Sequence, residues 1–248
     1  MTDAQASPLV GMLDTFAKHV PISLEDGAAL LELAYVSRTF EAGDYLVREG
    51  STPDHCGMLV SGLVSRHKIS GDGLRQIVSI HVPGEVFGLQ QLYIETADHN
   101  VQTLTKCELI LIPRDALRLI AANRPAVAHA IFATVLVELS IAREWMLNIG
   151  RHDARTRIAH LLCELAVRLD RLGLQPGQAY ELPMTQEQLG DAVGLTAVHI
   201  NRTLKGLVRD GLVGHNRRGV TIPNWQSLIH VADFNSQYLH RGINTPAL

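Results

Sequence analysis

The sequence predicts an α+β chain with an N-terminal β-barrel or jelly roll, a long helix, and a C-terminal helix-turn-helix followed by a short hairpin. Three observations predict it. From Arg38 to about Ile112 the chain breaks into short alternating or apolar runs separated by glycine turns. From Pro125 an apolar stripe recurs at helical spacing for roughly 24 residues. Finally, Met184–Arg209 carries two short helical patterns hinged on a glycine.

Residues 8–35 open the chain with two short helical patterns, Leu9, Met12, Leu13 and Phe16 in one and Leu30, Leu31 and Leu33 in the other. The first residues, MTDAQASPLVGMLDTF, have acids and no basic n-region, so they do not have the form of a secretory signal. The strands that follow are expected at Tyr45-Leu46-Val47, Gly57–Val60, Leu63-Val64-Ser65, Gln76–Ile80 and Leu109–Ile112. Turns separate them at Glu41–Asp44, Ser61-Gly62, Ser70–Gly73 and Pro83-Gly84-Glu85.

Pro125 is suited to the first turn of a helix, where its missing N–H costs nothing. Ala130, Thr134, Val137, Ile141 and Trp145, flanked by Ala133, Leu136 and Ser140, continue the stripe to about Asn148. At 1.5 Å per residue such a helix is about 36 Å long, more than one face of a small barrel needs. This stripe is expected to pair two copies; the competing reading is a core helix. No run approaches the ~18 apolar residues that span a bilayer, so no membrane association is expected.

Gly150 and Asp153 mark a hinge, and Arg155–Leu172 forms another amphipathic helix. After Pro176-Gly177, Tyr180-Glu181-Leu182 is a short strand leading into MTQEQLGDAVGLTAVHINRTLKGLVR. There, Thr185 and Gln188 have the form of a capping box, Leu189 and Val193 share a face, and Gly194 permits a left-handed turn. Thr196 can cap a second helix whose buried stripe is Ile200, Leu204 and Leu207. Val198, Arg202, Lys205 and Arg209 are left on the outer face, with His199 and Asn201 beside them. A helix in a major groove needs such a face: a fork donor for guanine edges, short groups for close approach and cations for phosphate.

The bland reading is a helical hairpin with a solvated basic face. Gly211–His215, then Asn216–Gly219, then Val220-Thr221-Ile222 decides against it, being two strands around a basic turn. Together the elements make a winged helix-turn-helix, and the expected partner is double-stranded DNA. Residues 224–240, with Trp225, Leu228, Val231, Ala232 and Tyr238, form a C-terminal helix, and the last eight residues are expected to fray. The segments are therefore 1–37 for the N-terminal helices and 38–120 for the barrel. The dimerisation helix takes 121–150, the DNA-binding domain 151–223, and the C-terminal helix and tail 224–248.

Charge is divided in the same way. The net formal charge is −3, yet residues 1–149 hold 11 basic and 17 acidic side chains whereas residues 150–223 hold 10 and 7. A basic second half confines the phosphate-binding surface there. Cys56, Cys107 and Cys163 are far apart and form no CxxC pair, as expected of buried thiols in a reducing cytoplasm.

An ordered series of matches resembles the Crp/Fnr family of bacterial transcription regulators over roughly residues 38–222. Phe40–Asp44 with Glu49-Gly50 is similar to the first barrel turn, followed by Leu59–Val64, Asp72-Gly73, Val82–Gly88 and Leu111–Arg114. Met184-Thr185, Leu189-Gly190, Val193–Thr196, Arg202–Leu204 and Gly211–Val213 agree with the family's helix-turn-helix. The resemblance implies a cyclic-nucleotide-binding-like barrel that senses a small-molecule effector and a homodimer reading a palindromic operator. It also implies contact with RNA polymerase. The implied effector pocket is Val86, Phe87, Gly88, Leu89, Gln90, His99 and Asn100. The implied DNA contacts are Thr185, Gln186, Thr196, Ala197, Val198, His199, Asn201, Arg202, Lys205, Arg217 and Arg218.

Departures from the family pattern bear on the effector. Cyclic-nucleotide-binding members hold the ribose with a Glu where this chain has Leu89, and the phosphate with an Arg where it has Ala97-Asp98-His99. An acid beside a phosphate is electrostatically adverse, so cyclic AMP or cyclic GMP in the usual mode is not expected. No cysteine precedes Cys56, which leaves an iron–sulfur cluster unsupported. No cofactor is predicted, although His55, His67, His81 or His99 could each serve as an axial haem ligand, and a redox role for Cys56 or Cys107 stays open beside it.

In the recognition helix only the family's last arginine is retained, as Arg202, the candidate guanine reader. Val198 could contact a thymine methyl. The rival readings are a metal-dependent barrel enzyme, which would need His and carboxylate groups converging in the barrel, a constitutive regulator, and an adaptor whose winged helix contacts protein. No HxH with a following Glu and no nucleophile elbow supports the enzyme, and Arg217-Arg218 argues against the adaptor.

Overall fold

The computed structural model describes residues 7–169, 179–215 and 219–241. Within them the chain forms two compact units. One takes residues 7–65, 81–139 and 240–241, and the other 66–80 with the described part of 140–239. The hairpin 66–80 thus groups with the C-terminal elements rather than with the strands that flank it in sequence.

The first unit begins with α1 (Val10–Ala17) and α2 (Leu24–Leu31), the latter capped by Ser23, whose side chain accepts from the Asp26 N–H. The strands ahead of the long helix, of which β4 and β5 fall mostly in the second unit, are β1 (Val36–Phe40), β2 (Tyr45–Val47), β3 (His55–Ser61), β4 (Val64–Ile69), β5 (Arg75–His81), β6 (Val86–Phe87), β7 (Asn100–Thr103) and β8 (Cys107–Pro113). They form two four-stranded sheets of order β1-β8-β3-β6 and β2-β7-β4-β5.

Period-two alternation sorts the side chains of the first sheet into two layers. Cys107 and Leu109 of β8 and Leu59 of β3 turn inward, where Val64, Phe87 and Val101 complete the barrel interior. Ile110 and Ile112, with Cys56 and Met58, face the other way, onto a larger core with Met12 and Phe16 of α1 and Leu9 just before it. Gly57 has no side chain because the Phe87 ring lies where its Cβ would be.

A helix that the sequence reading missed, α3 (Arg114–Asn123), follows β8 directly. The run Leu109–Pro113 reads as the end of a strand, and no Ser, Thr, Asp or Asn cap announces the helix. Its helical spacing is nonetheless present, and Leu117, Ile120 and Ala121 enter the larger core. Next, α4 (Pro125–Arg151) runs 27 residues, longer than expected, and carries Gly150 within it. It is also the one helix among the described residues long and apolar enough by composition to cross a membrane, contrary to the expectation that no such stretch exists. Val127, Ala130 and Ile131 of its first half belong to the larger core, and Glu138 interrupts its middle.

In the second unit, Asp153 caps α5 (Ala154–Leu169) by accepting from the Thr156 N–H at 2.8 Å. Then come β9 (Ala179–Glu181), α6 (Gln186–Val193), α7 (Ala197–Arg209), β10 (Gly214–His215), β11 (Gly219–Thr221) and α8 (Trp225–Ala232). The three strands make one small sheet of order β10-β11-β9, so the wing gains β9 as a third strand. The C-terminal helix expected over 224–240 stops at Ala232, because Asp233 turns left-handed (φ 47°), and only a 3-10 turn at Ser236–Leu239 follows. The expected fraying of the last eight residues concerns 242–248 for the most part, which lie outside the described residues.

Candidate nucleic-acid interface and barrel interior

The helix-turn-helix is set by three local devices. Thr185 Oγ1 accepts from the Gln188 N–H at 3.1 Å, and Gln188 Oε1 accepts from the Thr185 N–H at 2.9 Å, closing the capping box of α6. Gly194 ends that helix in the left-handed region (φ 68°), as the sequence requires. Thr196 Oγ1 then accepts from the His199 N–H at 3.3 Å and starts α7. Gly190 permits the tight turn: a Cβ there would collide with the Leu195 carbonyl oxygen.

Ile200, Leu204 and Leu207 are buried, so the opposite face of α7 is outward. Thr196, Ala197, Val198, Arg202 and Lys205 are exposed, Val198 at 81%, while His199 and Asn201 lie half-buried at the edge. Arg202 and Lys205 form no ion pair among the described residues, which leaves one guanidinium fork and one ammonium available to an external anion. Arg209, at the helix end, is turned to Asp210 at 3.3 Å, and Asp210 also accepts from Arg155 at 2.6 Å. These partners hold the Asp210 carboxyl below its usual range, Arg155 foremost. Thr185 is exposed but spends its hydroxyl oxygen on the cap, and Gln186 is half-buried. Arg217 and Arg218 lie outside the described residues.

The expected effector pocket is not brought together as one lining. Val86 and Leu89 belong to the core shared with α1, α3 and α4, not to the barrel interior: alternation along β6 turns Val86 outward, and Leu89 opens a 3-10 turn (Leu89–Leu92) after left-handed Gly88. Phe87 does point inward and packs with Leu59, Val64 and Val101. Gly88 is left-handed (φ 82°), and its carbonyl accepts from the Cys56 thiol at 3.4 Å. Gln90 and His99 do meet, Nε2 to Nε2 at 3.4 Å, and His99 Nδ1 lies 2.7 Å from the exposed Asp98 carboxylate. Asn100 is occupied structurally, accepting from the Glu49 N–H at 3.1 Å.

The four histidines considered as ligands are dispersed in role. His55 pairs with Asp54 at 2.6 Å, and buried His81 stacks near Phe87 with Nδ1 3.6 Å from Glu85. His67 is buried on β4. Among the described residues no group of three His, Cys, Asp or Glu is placed to hold a metal. Burial pushes the Cys56 thiol up to about 12 and raises Cys107 and Cys163 as well, so none carries thiolate character at neutral pH.

The stripe read as the pairing face of α4 needs correction. Ala130, Thr134, Ile141 and Trp145 are buried against their own chain, and Val137 is half-buried. Thr134 Oγ1 donates to the Ala130 carbonyl at 2.8 Å, and Trp145 Nε1 to Glu164. The apolar side chains left exposed are Phe132 (64%), Leu136, Leu139, Met146 (73%) and Leu147. Phe132, Leu136, Leu139, Arg143 and Met146 recur at alternating steps of four and three, the seam spacing of paired helices. That signal is present in the sequence, one face over from the stripe chosen.

A filled β-barrel of two sheets, a long apolar helix and a capped helix-turn-helix with a three-stranded wing define a DNA-binding transcription regulator. Family models agree in order: the cyclic nucleotide-binding domain matches residues 37–124, and the Crp-like helix-turn-helix domain residues 156–231. The chain belongs to the Crp/Fnr family of transcription regulators. It is similar to the transcriptional activator protein FnrL of Cereibacter sphaeroides, 29% identical over 216 residues and 86% of each chain. It is 31% identical over 156 residues to the nitrogen fixation regulation protein FixK of Azorhizobium caulinodans, covering 63% of this chain and 62% of that one. Among solved structures, FixK2 from Bradyrhizobium japonicum matches with a TM-score of 0.73 and 28% identity, over 80% of this chain and 98% of that one. These relatives are regulators, not enzymes.

Proposed function

We propose that the protein acts as a homodimer that reads a palindromic operator with α7, under the control of an effector other than a cyclic nucleotide. The observation that carries this reading is the outward face of α7, where Val198, Arg202 and Lys205 stand exposed on a helix fixed at its start by the Thr196 cap. Arg202 supplies the fork that fits a guanine edge, Val198 an apolar contact for a thymine methyl, and Lys205 a charge for phosphate. His199, Asn201, Thr185 and Gln186 border that face and would contact backbone or base edges.

Pairing of two copies is supported by the exposed seam on α4 from Phe132 to Met146. Two recognition helices related by a twofold axis require a palindrome with half-sites about one helical turn apart. An effector other than a cyclic nucleotide is supported by Leu89, buried in the core where the family's ribose-binding Glu would stand, and by Ala97-Asp98-His99, which offers no arginine to a phosphate. The protein works in the cytoplasm, where DNA and RNA polymerase are both at hand.

Replacement of Arg202 by alanine tests the reading. Quantitative footprinting should show a loss of about 1–3 kcal/mol and a flattened base preference at one position of each half-site. Unchanged affinity and preference would remove Arg202 from the readout.

A further inference from the structure

We propose that Arg75 and Gln76 are positioning residues for DNA binding, holding α6, and through it the recognition helix α7, against the hairpin of β4 and β5. The inference rests on the operator-reading function proposed above. The last carbonyls of a helix have no partner within it, and the negative end of its dipole lies there. In α6 they are those of Gly190, Asp191, Ala192 and Val193. The Gly190 carbonyl accepts from the N–H groups of Gly194 and Leu195, and the Val193 carbonyl from Arg157 at 3.3 Å. The other two accept from Gln76 Nε2, at 2.7 Å for Asp191 and 3.3 Å for Ala192.

A second observation is independent of the carbonyls. Asp191 places a carboxylate in the last turn of α6, where the dipole disfavours an anion. Arg75 answers it, with Nε at 2.7 Å and Nη2 at 2.6 Å from the same Asp191 oxygen, both side chains mostly shielded from solvent. At the far end of β5, Arg168 donates to the Ile80 carbonyl and is itself held by buried Glu164 at 2.7 Å. Residues 66–80 are thus fastened to one compact unit with α5 and α6 at both ends of β5. β5 is the edge strand of its sheet, and its Ile80 carbonyl takes the Arg168 donor. None of these contacts occupies the outward face of α7.

Binding of one half-site needs only one such face, whereas a palindrome needs two at a fixed spacing and orientation. A clamp that fixes α6 therefore matters for the palindrome and not for the isolated half-site. The test compares Arg75→Asp with the charge exchange Arg75→Asp/Asp191→Arg in the full chain. The probes are a duplex bearing the palindrome selected by the unaltered protein and a duplex bearing one half-site. Arg75→Asp should lose about tenfold in palindrome affinity and keep its half-site affinity, and the exchange should restore the palindrome. Unaltered palindrome affinity, an equal loss on the half-site, or no restoration by the exchange would each overturn the proposal.

Amide hydrogen exchange without DNA separates the clamp from the DNA reading. Faster exchange over residues 186–193 in Arg75→Asp, reversed by the charge exchange, supports the clamp even if the unaltered protein selects no sequence. Exchange equal to that of the unaltered protein overturns it.

Discussion

Trp145 of α4 donates its indole N–H to Glu164 of α5 at 2.9 Å, and Glu164 is completely buried. The carboxylate has two further partners, the Tyr238 hydroxyl at 2.8 Å and Arg168 at 2.7 Å. A buried charge is tolerated only when its oxygens are filled in this way. Trp145→Phe should therefore cost about 1–3 kcal/mol, since it leaves an acceptor site of a buried charged group without its donor. Glu164→Gln should cost more, about 3–5 kcal/mol, because Arg168 is left buried without its counter-charge. Denaturant unfolding of the two variants would check the order. A Trp145→Phe protein less stable than Glu164→Gln would show that ring packing, not the ion network, dominates here.

His160 lies in the same network, with Nδ1 3.2 Å from the Ala232 carbonyl and Nε2 3.1 Å from the Tyr238 hydroxyl. Burial holds its pKa below the ordinary 6.5, against the opposing pull of Glu164. In the unfolded chain the ring takes a proton as pH falls through 6.5, while the folded chain keeps it neutral. The stabilising contribution is therefore full above that value and declines as pH falls toward the folded pKa, by at most about 1.4 kcal/mol per pH unit. Replacing His160 with glutamine should flatten this part of the stability profile between neutral and mildly acidic pH. Parallel profiles for both proteins would show that another group is responsible.

Leu136 and Leu139 stand exposed on the seam of α4 and make no demand on the chain's own core. Leu136→Glu combined with Leu139→Glu should give a folded monomer by sedimentation, with the helix content of the unaltered protein. Burying two carboxylates between paired helices is too costly to allow association. A dimer of unchanged strength would place the pairing surface elsewhere.

The helix-turn-helix was legible in the sequence because its determinants are local. Thr185 and Gln188, Gly194, and Thr196 each act within a few residues, and their residue types declare their geometry. The alternation in β3 and β8 was legible for the same reason. The stripe of α4 expected to pair two copies is instead buried against the chain itself; both faces of the helix are apolar, and spacing alone does not say which one the chain buries. Helix α3 was missed where a strand runs straight into a helix without a capping side chain. The contacts of Arg75 and Gln76 with α6 join residues more than a hundred positions apart, so no pattern along the chain announces them. Leu89 shows a subtler limit. Its identity spoke against a ribose contact, but only the fold revealed that it faces the helices.

The most direct test of the account is selection of duplexes from a random library by the purified protein, scored for motif and half-site spacing. The account predicts a palindrome with half-sites about one helical turn apart, in which a guanine position loses its preference when Arg202 is replaced by alanine. Enrichment of no sequence by the purified protein and by the protein supplied with cell extract, or of a motif indifferent to Arg202, would contradict it.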